Sequence, residues 1–319
     1  MADTRVARDV GDLIRLDAAT VLLQWSVGGL LFLWVTTRHR TVGLGYGWLL
    51  RGVFGILAAG AVVACRFTEA VAVREAASIG VVAATMVALG VSIARRAAGV
   101  RGQRDEAARK RARVTAMSGA TTGGAEAATA SIEMRDQFGR AVGPASPTPG
   151  AVGVAEFPPI LDLIAPALGL VGLVAAGWAG GGSHPLAVAR TIIGALFLGA
   201  VTDAMLLGHW YLVQPGLSRR PIGELNDWLM RIWPIEVGLL LVPTGMISVL
   251  NGSISDRYGG MLGWFWVACA LTTLGLTFVT RAALKERFYS AVMAATGLLY
   301  LAILTAFGTD LVARAILSG

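Results

Sequence analysis

The sequence predicts an all-α fold, a polytopic membrane helix bundle of eight transmembrane helices, and three observations carry that prediction. Hydrophobic residues fill 55% of the 319 positions and charged residues only 15%, well below the roughly 25% usual for soluble domains. The apolar residues gather into long runs and do not alternate with polar ones. The positive charge, finally, falls mainly in every second loop between those runs.

A bilayer core of about 30 Å takes about 20 apolar residues to cross as helix. Eight segments qualify, at Ala18 to Thr37, Trp48 to Cys65, Ala76 to Ala94, Ile160 to Trp178, Ala187 to Val213, Leu229 to Leu250, Leu262 to Thr280 and Phe288 to Phe307. They divide the chain into a first membrane segment of three helices (1–94), a linker (95–158) and a second membrane segment of five helices (159–319). Trp48-Leu49-Leu50-Arg51 resembles Trp228-Leu229-Met230-Arg231 near the starts of the second and sixth spans, which suits an arrangement of two four-helix halves.

All 27 basic residues except Lys110 and Lys285 are arginine, and the net charge of +7 comes almost wholly from them. Such a balance on a soluble chain points to nucleic acid; on this one it records orientation, and no nucleic-acid partner is expected. Arg38 and Arg40, the run from Arg95 to Arg113, Arg219 and Arg220, and Arg281, Lys285 and Arg287 fall on one side. The opposite loops are poorer: Ala179 to Pro185 has no positive charge, Asn251 to Gly260 has Arg257 alone, and Arg66 and Arg74 stand beside Glu69 and Glu75. The expectation is a multi-pass protein of the bacterial inner membrane with the linker inside and both termini outside. No cleavage site follows the first apolar run, so no cleaved signal peptide is expected.

The linker opens with the basic stretch Arg101 to Arg113, which extends the third helix as a solvated face or grips anionic lipid headgroups. An Ala, Gly and Thr stretch, Met117 to Ser131, lacks the composition of a packed core. A short hairpin around Gly139 and a Pro and Gly linker, Gly143 to Gly150, follow.

Chemistry-bearing patterns are scarce. Cys65 and Cys269 lie in apolar runs and form no CxxC. There are three histidines, His39, His184 and His209, and His209 has no partner at its depth, so neither a haem held between membrane histidines nor a three-histidine metal site is expected. No GxGxxG after a strand, no GxxxxGK[ST] and no HExxH occurs.

The densest unusual patch lies in the fifth span and the turn after it. Asp203 sits inside an apolar run, where a carboxylate costs at least about 2.5 kcal/mol on insertion scales. A spacing of seven puts Asp203 and Trp210 on one helix face, with His209 and Tyr211 beside them. One reading is a pocket at the inner leaflet in which His209 and Tyr211 hydrogen-bond a quinone carbonyl and Trp210 forms an aromatic wall. The other is an ordinary aromatic belt of Trp210 and Tyr211, a histidine bonded to a helix-end carbonyl, and a structural Asp203. Arg231 and Glu236 in the sixth span join the same pocket in this reading, with Pro234 and Pro243 lining it, or else they form an ion pair of their own. Arg51 is a counter-ion or snorkels to headgroups.

In helix count, repeat and lack of paired histidines, the predicted architecture resembles haem-free quinol-interacting subunits of the polysulfide reductase type. The resemblance carries no motif, the outward termini depart from it, and no residue roles are carried over. The sequence therefore predicts a haem-free membrane subunit of a larger respiratory or photosynthetic electron-transfer complex, with other subunits as partners and a quinone or lipid pocket near the inner leaflet. The alternative is a small-solute or proton-coupled transporter using Asp203 and Glu236. A membrane-embedded enzyme comes third, for want of a nucleophile pair.

Overall fold

The computed structural model describes residues 17–100, 112, 156–180, 183–214, 217–241, 245–253, 255–256 and 258–317. The N-terminal tail, nearly all of the basic stretch, the Ala, Gly and Thr stretch, the hairpin around Gly139, the Gly143 to Gly150 linker, Arg257 and Pro243 lie outside the described residues.

The described residues are helical and contain no strand. We number the α-helices α1 (Ala18–Thr37), α2 (Leu44–Ala64), α3 (Ala72–Ala94), α4 (Ile164–Ala179), α5 (His184–Val213), α6 (Arg220–Leu241), α7 (Met246–Leu250), α8 (Met261–Lys285) and α9 (Tyr289–Leu317). Short 3-10 turns, Arg96–Ala98 and Pro159–Leu163, follow α3 and lead into α4. Among the described residues seven helical segments are long and apolar enough to cross a membrane: α1, α2, α3, α4 with its leading turn, α5, α8 and α9.

The expected sixth span is the one that differs. The helix begins at Arg220, nine residues before the expected Leu229, and ends at Leu241. It carries Arg220, Glu224, Asp227, Arg231 and Glu236, so it falls short of the apolarity of the others. The apolar run continues past Leu241, but the next helix, α7, is a separate element of five residues. The helix α9 runs ten residues beyond the expected Phe307, because Asp310 and Arg314 ended the apolar run without ending the helix.

Local chemistry sets several ends. Asp17 caps α1, accepting the Ala19 N–H at 3.0 Å and the Thr20 hydroxyl at 3.0 Å. Before α8, the Asp256 carboxylate accepts N–H groups of Tyr258, Gly260, Leu262 and Gly263. Those backbone donors, Gly260 foremost, hold its carboxyl below the usual carboxylate range.

Two helices form the axis of the bundle. In their most apolar windows 67% of α1 and 72% of α5 is buried, against 28% of α3, which leaves α1 and α5 central and the others peripheral. α1 packs against α2, α4 and α5; α5 packs against α1, α4, α6 and α9; α8 packs against α6 and α9. The axis is possible because Gly28 and Gly199 face each other. A Cβ on Gly199 would fall on the backbone of Gly28, and one on Gly28 on the carbonyl of Ala195. Helices without a hydrophobic drive to associate in lipid gain from this close approach of backbones.

The arginine-rich end is tied together by the residues that mark it. Arg38 and His39 meet Glu224 at the start of α6, the latter at 3.5 Å. Arg219 donates to carbonyls of the α8–α9 turn, reaching Arg287 at 3.0 Å and Phe288 at 2.9 Å. At the opposite end Arg74, at the start of α3, pairs with Asp17 and donates to the Glu69 carbonyl at 2.8 Å.

The glycine contact is directly testable. Gly28→Ala and Gly199→Ala should each lower the melting temperature of the detergent-solubilised protein, at a cost of about 1–3 kcal/mol for an overpacked contact. Gly52→Ala, where an added Cβ meets nothing within 4 Å, should be neutral or stabilising. Equal melting temperatures for all three variants would contradict a backbone contact between α1 and α5.

Candidate functional site

The residues singled out in the sequence occupy three separate places. Asp203 is fully buried in α5, and neither carboxylate oxygen has a hydrogen-bond partner among the described residues. Its electrostatic neighbour is Tyr46 near the start of α2, whose ring also packs 6.1 Å from that of Trp210. Asp203 and Trp210 thus share the face of α5 turned toward α2. Trp210 is filled in on that face: its ring lies against Gly45 and its indole N–H donates to Gln214 at 3.0 Å.

His209 lies elsewhere. Six residues separate it from Asp203, about 120° around an α-helix. It is exposed on the outer surface of the bundle, where Nδ1 lies 3.2 Å from the Tyr300 hydroxyl of α9 and the two rings meet nearly edge-on at 87°. Tyr211 is buried and structural. Its hydroxyl donates to the Ser218 carbonyl across the α5–α6 turn, while its own carbonyl accepts the Tyr289 hydroxyl at 3.0 Å.

The expectation that Arg231 and Glu236 join Asp203 and His209 in one pocket is not met. Arg231 is exposed and lies over the Trp228 ring at 5.7 Å. Glu236 is buried on another face of α6, and it sits deeper than expected because the helix starts nine residues earlier. Sixteen residues from Arg220 carry it about 24 Å along the axis, into the half remote from the arginine-rich end.

There Glu236 meets Arg190 of α5 and Asp310 and Arg314 of α9. All four side chains are buried. Arg314 Nε donates to Asp310 Oδ1 at 2.8 Å and its Nη2 to the Arg190 carbonyl at 3.3 Å. Gly194 gives them room: an added Cβ would lie 2.5 Å from Arg314 Nη2 and 3.2 Å from both Asp310 Oδ1 and Gln24 Nε2. Arg190 Nε donates to the Leu239 carbonyl of α6 at 2.8 Å. That carbonyl is among the last four of α6, which have no intrahelical donor.

A third cluster lies at the arginine-rich end. Arg51, 3% exposed, holds Asp162 in a two-pronged pair with Nε and Nη2 each 2.8 Å from a carboxylate oxygen. Phe157 covers the guanidinium at 4.5 Å, and Thr37 donates to Asp162 at 3.3 Å. Arg40 pairs with Glu156 at 2.8 Å and Arg95 donates to its carbonyl at 3.1 Å. Three arginines from separate loops and helices thereby anchor the segment that re-enters the bundle before α4. Arg51 neither snorkels nor serves Asp203.

Sequence reasoning missed Asp162, Arg190, Asp310 and Arg314. Each is a charge in or at the margin of an apolar run, the same signal that drew attention to Asp203. Asp310 and Arg314 escaped because the expected span stopped at Phe307. A separate cleft of about 300 Å³ between α1, α4 and α5, with Val27, Leu31, Leu170 and Leu196 in its walls, is apolar throughout. Among the described residues no three His, Cys, Asp or Glu side chains converge as a metal site would require. The chain matches no family model, and no curated protein or solved structure matches it.

The Arg51–Asp162 pair makes a sharp prediction. Asp162→Ala leaves a guanidinium buried without its counter-charge and should cost about 3–5 kcal/mol, read as a fall in melting temperature. Replacing both partners, Arg51→Met with Asp162→Leu, should recover much of that loss. A single variant as stable as the parent would show that the pair does not hold the re-entering segment.

Proposed function

We propose that the chain is a haem-free membrane subunit of a larger bacterial electron-transfer complex, respiratory or photosynthetic, that offers a quinone a hydrogen-bonding contact near the inner leaflet. The observation that carries this reading is the His209–Tyr300 pair. Both side chains are exposed, they are hydrogen-bonded to each other, and their surroundings on α5 and α9 include the exposed apolar Leu212, Leu301 and Leu304. Polar side chains facing hydrocarbon are costly without a partner, and a quinone unites an apolar ring with carbonyl acceptors. With Nδ1 engaged by Tyr300, the Nε2 of the exposed His209 ring is the nitrogen this proposal assigns to the quinone. The quinone contact of this proposal is therefore His209 with Tyr300 at the membrane surface, with Trp210 behind them and Tyr211 holding the turn. Asp203, Arg231 and Glu236 have no part in it.

The proposal includes eight spans. α6 has 22 residues, about 33 Å of helix, and its flanks are covered by α5 and α8. Two four-helix halves are supported by the order of neighbours: α1–α2, α2–α3, α3–α4 and α4–α1 contacts recur as α5–α6, α6–α8, α8–α9 and α9–α5. In this reading the arginine-rich end faces the cytoplasm of a bacterial cell, both termini lie outside, anionic lipid meets the basic linker, and other subunits cover part of the apolar surface.

A second reading, a proton-coupled or small-solute transporter, is favoured by a different observation: Asp203 and Glu236 are both buried with carboxylate oxygens free of hydrogen bonds, and they lie at two depths.

The two readings order the variants oppositely. A quinone contact predicts that His209→Ala, and to a lesser degree Tyr300→Phe, reduces the quinone extracted from the natively purified complex several-fold, while Asp203→Asn retains it. A transporter predicts solute uptake into vesicles that Asp203→Asn abolishes and His209→Ala spares. Unchanged quinone content in both His209→Ala and Tyr300→Phe would end the first reading.

Orientation is tested by single cysteines in a variant lacking Cys65 and Cys269. In intact cells, with the outer envelope made permeable, an impermeant maleimide should label Ser183→Cys and spare Ser131→Cys in the linker. The reverse pattern would invert the topology.

A further inference from the structure

We propose that Glu236 and Asp310 share one exchangeable proton, forming a proton-binding site in the half of the membrane remote from the arginine-rich end. The site depends on neither reading above, because it is argued from the hydrogen-bond balance of the cluster alone.

Most donors of the cluster are committed to backbone carbonyls. Arg190 Nε is spent on the Leu239 carbonyl, Arg314 Nη2 on the Arg190 carbonyl, and Gln24 Nε2 on the Thr191 carbonyl at 2.6 Å. Arg314 Nε reaches a carboxylate, Asp310 Oδ1. The acceptors are left in surplus: both oxygens of Glu236, Asp310 Oδ2 and Gln24 Oε1 have no hydrogen-bond partner among the described residues. Glu236 is 1% exposed and Asp310 and Gln24 are fully buried, so bulk water does not make up the deficit. Against these four oxygens stands one buried nitrogen left over, Arg190 Nη1, so acceptors outnumber donors and a further hydrogen completes the balance. Two adjacent guanidiniums oppose a metal cation in that role, whereas a proton turns two repelling carboxylates into a charge-assisted O–H···O pair.

The surroundings suit two protonation states. Facing Glu236 are Arg190 from α5 and Asp310 and Arg314 from α9, and Gln24 of α1 is neutral. From α8, Trp266 donates to the Thr309 carbonyl at 2.8 Å and Cys269 lies against Gly308; from α7, Met246 and Val249 are apolar. Two arginines against two carboxylates sum to zero without the proton and to one positive charge with it. Neither state leaves a lone buried carboxylate opposite no cation. Exchange with the nearer surface is short: Arg190 is six residues, about 9 Å, from the start of α5, and Arg314 is three residues, about 4.5 Å, from the end of α9.

The test is a pH-titrated infrared difference spectrum of the full chain reconstituted in liposomes, in an Asp203→Asn background that removes the buried carboxyl of α5. The expected result is a carboxylic-acid carbonyl band that rises on acidification and disappears in Glu236→Gln and in Asp310→Asn. Glu236→Asp, which keeps the acid and shortens its reach, should move the band without removing it, and serves where the amide variants fail to fold. Absence of any titrating carboxylic-acid band, or its persistence in Glu236→Gln and Asp310→Asn, overturns the proposal. Neither quinone content nor transport enters the measurement.

Discussion

The contact of the α1 and α5 backbones at Gly28 and Gly199 organises the bundle. Lipid tails are as apolar as leucine, so helices in a bilayer associate through close packing and polar contacts and not through exclusion of water. Two glycines facing each other allow the closest packing available, and the helices that meet there are the two most buried. The other spans then flank this axis, α2 and α4 beside α1, α6 and α9 beside α5.

Charge is handled by a consistent rule. Basic residues at the arginine-rich end serve as staples: Arg38 reaches α6, Arg40 and Arg95 reach Glu156, and Arg219 reaches the α8–α9 turn. Those within the bundle are matched by carboxylates, Arg51 by Asp162, Arg74 by Asp17 and Arg314 by Asp310. Arg190 donates to a different kind of group, the Leu239 carbonyl in the last turn of α6, where helix carbonyls have no intrahelical donor.

Against that background the exceptions stand out. Asp203 and Glu236 are buried carboxylates whose oxygens accept no hydrogen bond from the described residues, and His209 with Tyr300 is a polar pair turned outward. They lie on separate faces and at separate depths. Structural polar groups in a membrane protein are ordinarily satisfied within the fold. The unsatisfied ones are where exchange with a proton, a ligand or a neighbouring subunit is chemically open.

The sequence by itself determined the all-helical membrane class, the approximate course of seven apolar helices, and the segregation of arginine to one end. These are properties of composition along the chain: the length of an apolar run sets whether it spans, and loop charge is read without knowing what touches what. The sequence also marked Asp203 and Glu236 as anomalous, since a carboxylate in an apolar run is costly wherever the run packs. Only the tertiary structure decided which polar residues meet. Pairing depends on where each helix begins and how it is rotated about its axis, and a shift of nine residues at the start of α6 carried Glu236 away from the depth of His209. The extension of α9 past Phe307 brought Asp310 and Arg314 to it, and the close approach allowed by Gly194 settled the contact. Charged residues that end an apolar run do not end a helix when they pair along it, as Asp310 and Arg314 do one turn apart, while the contact of Arg314 with the Arg190 carbonyl joins segments too far apart along the chain to be read from it.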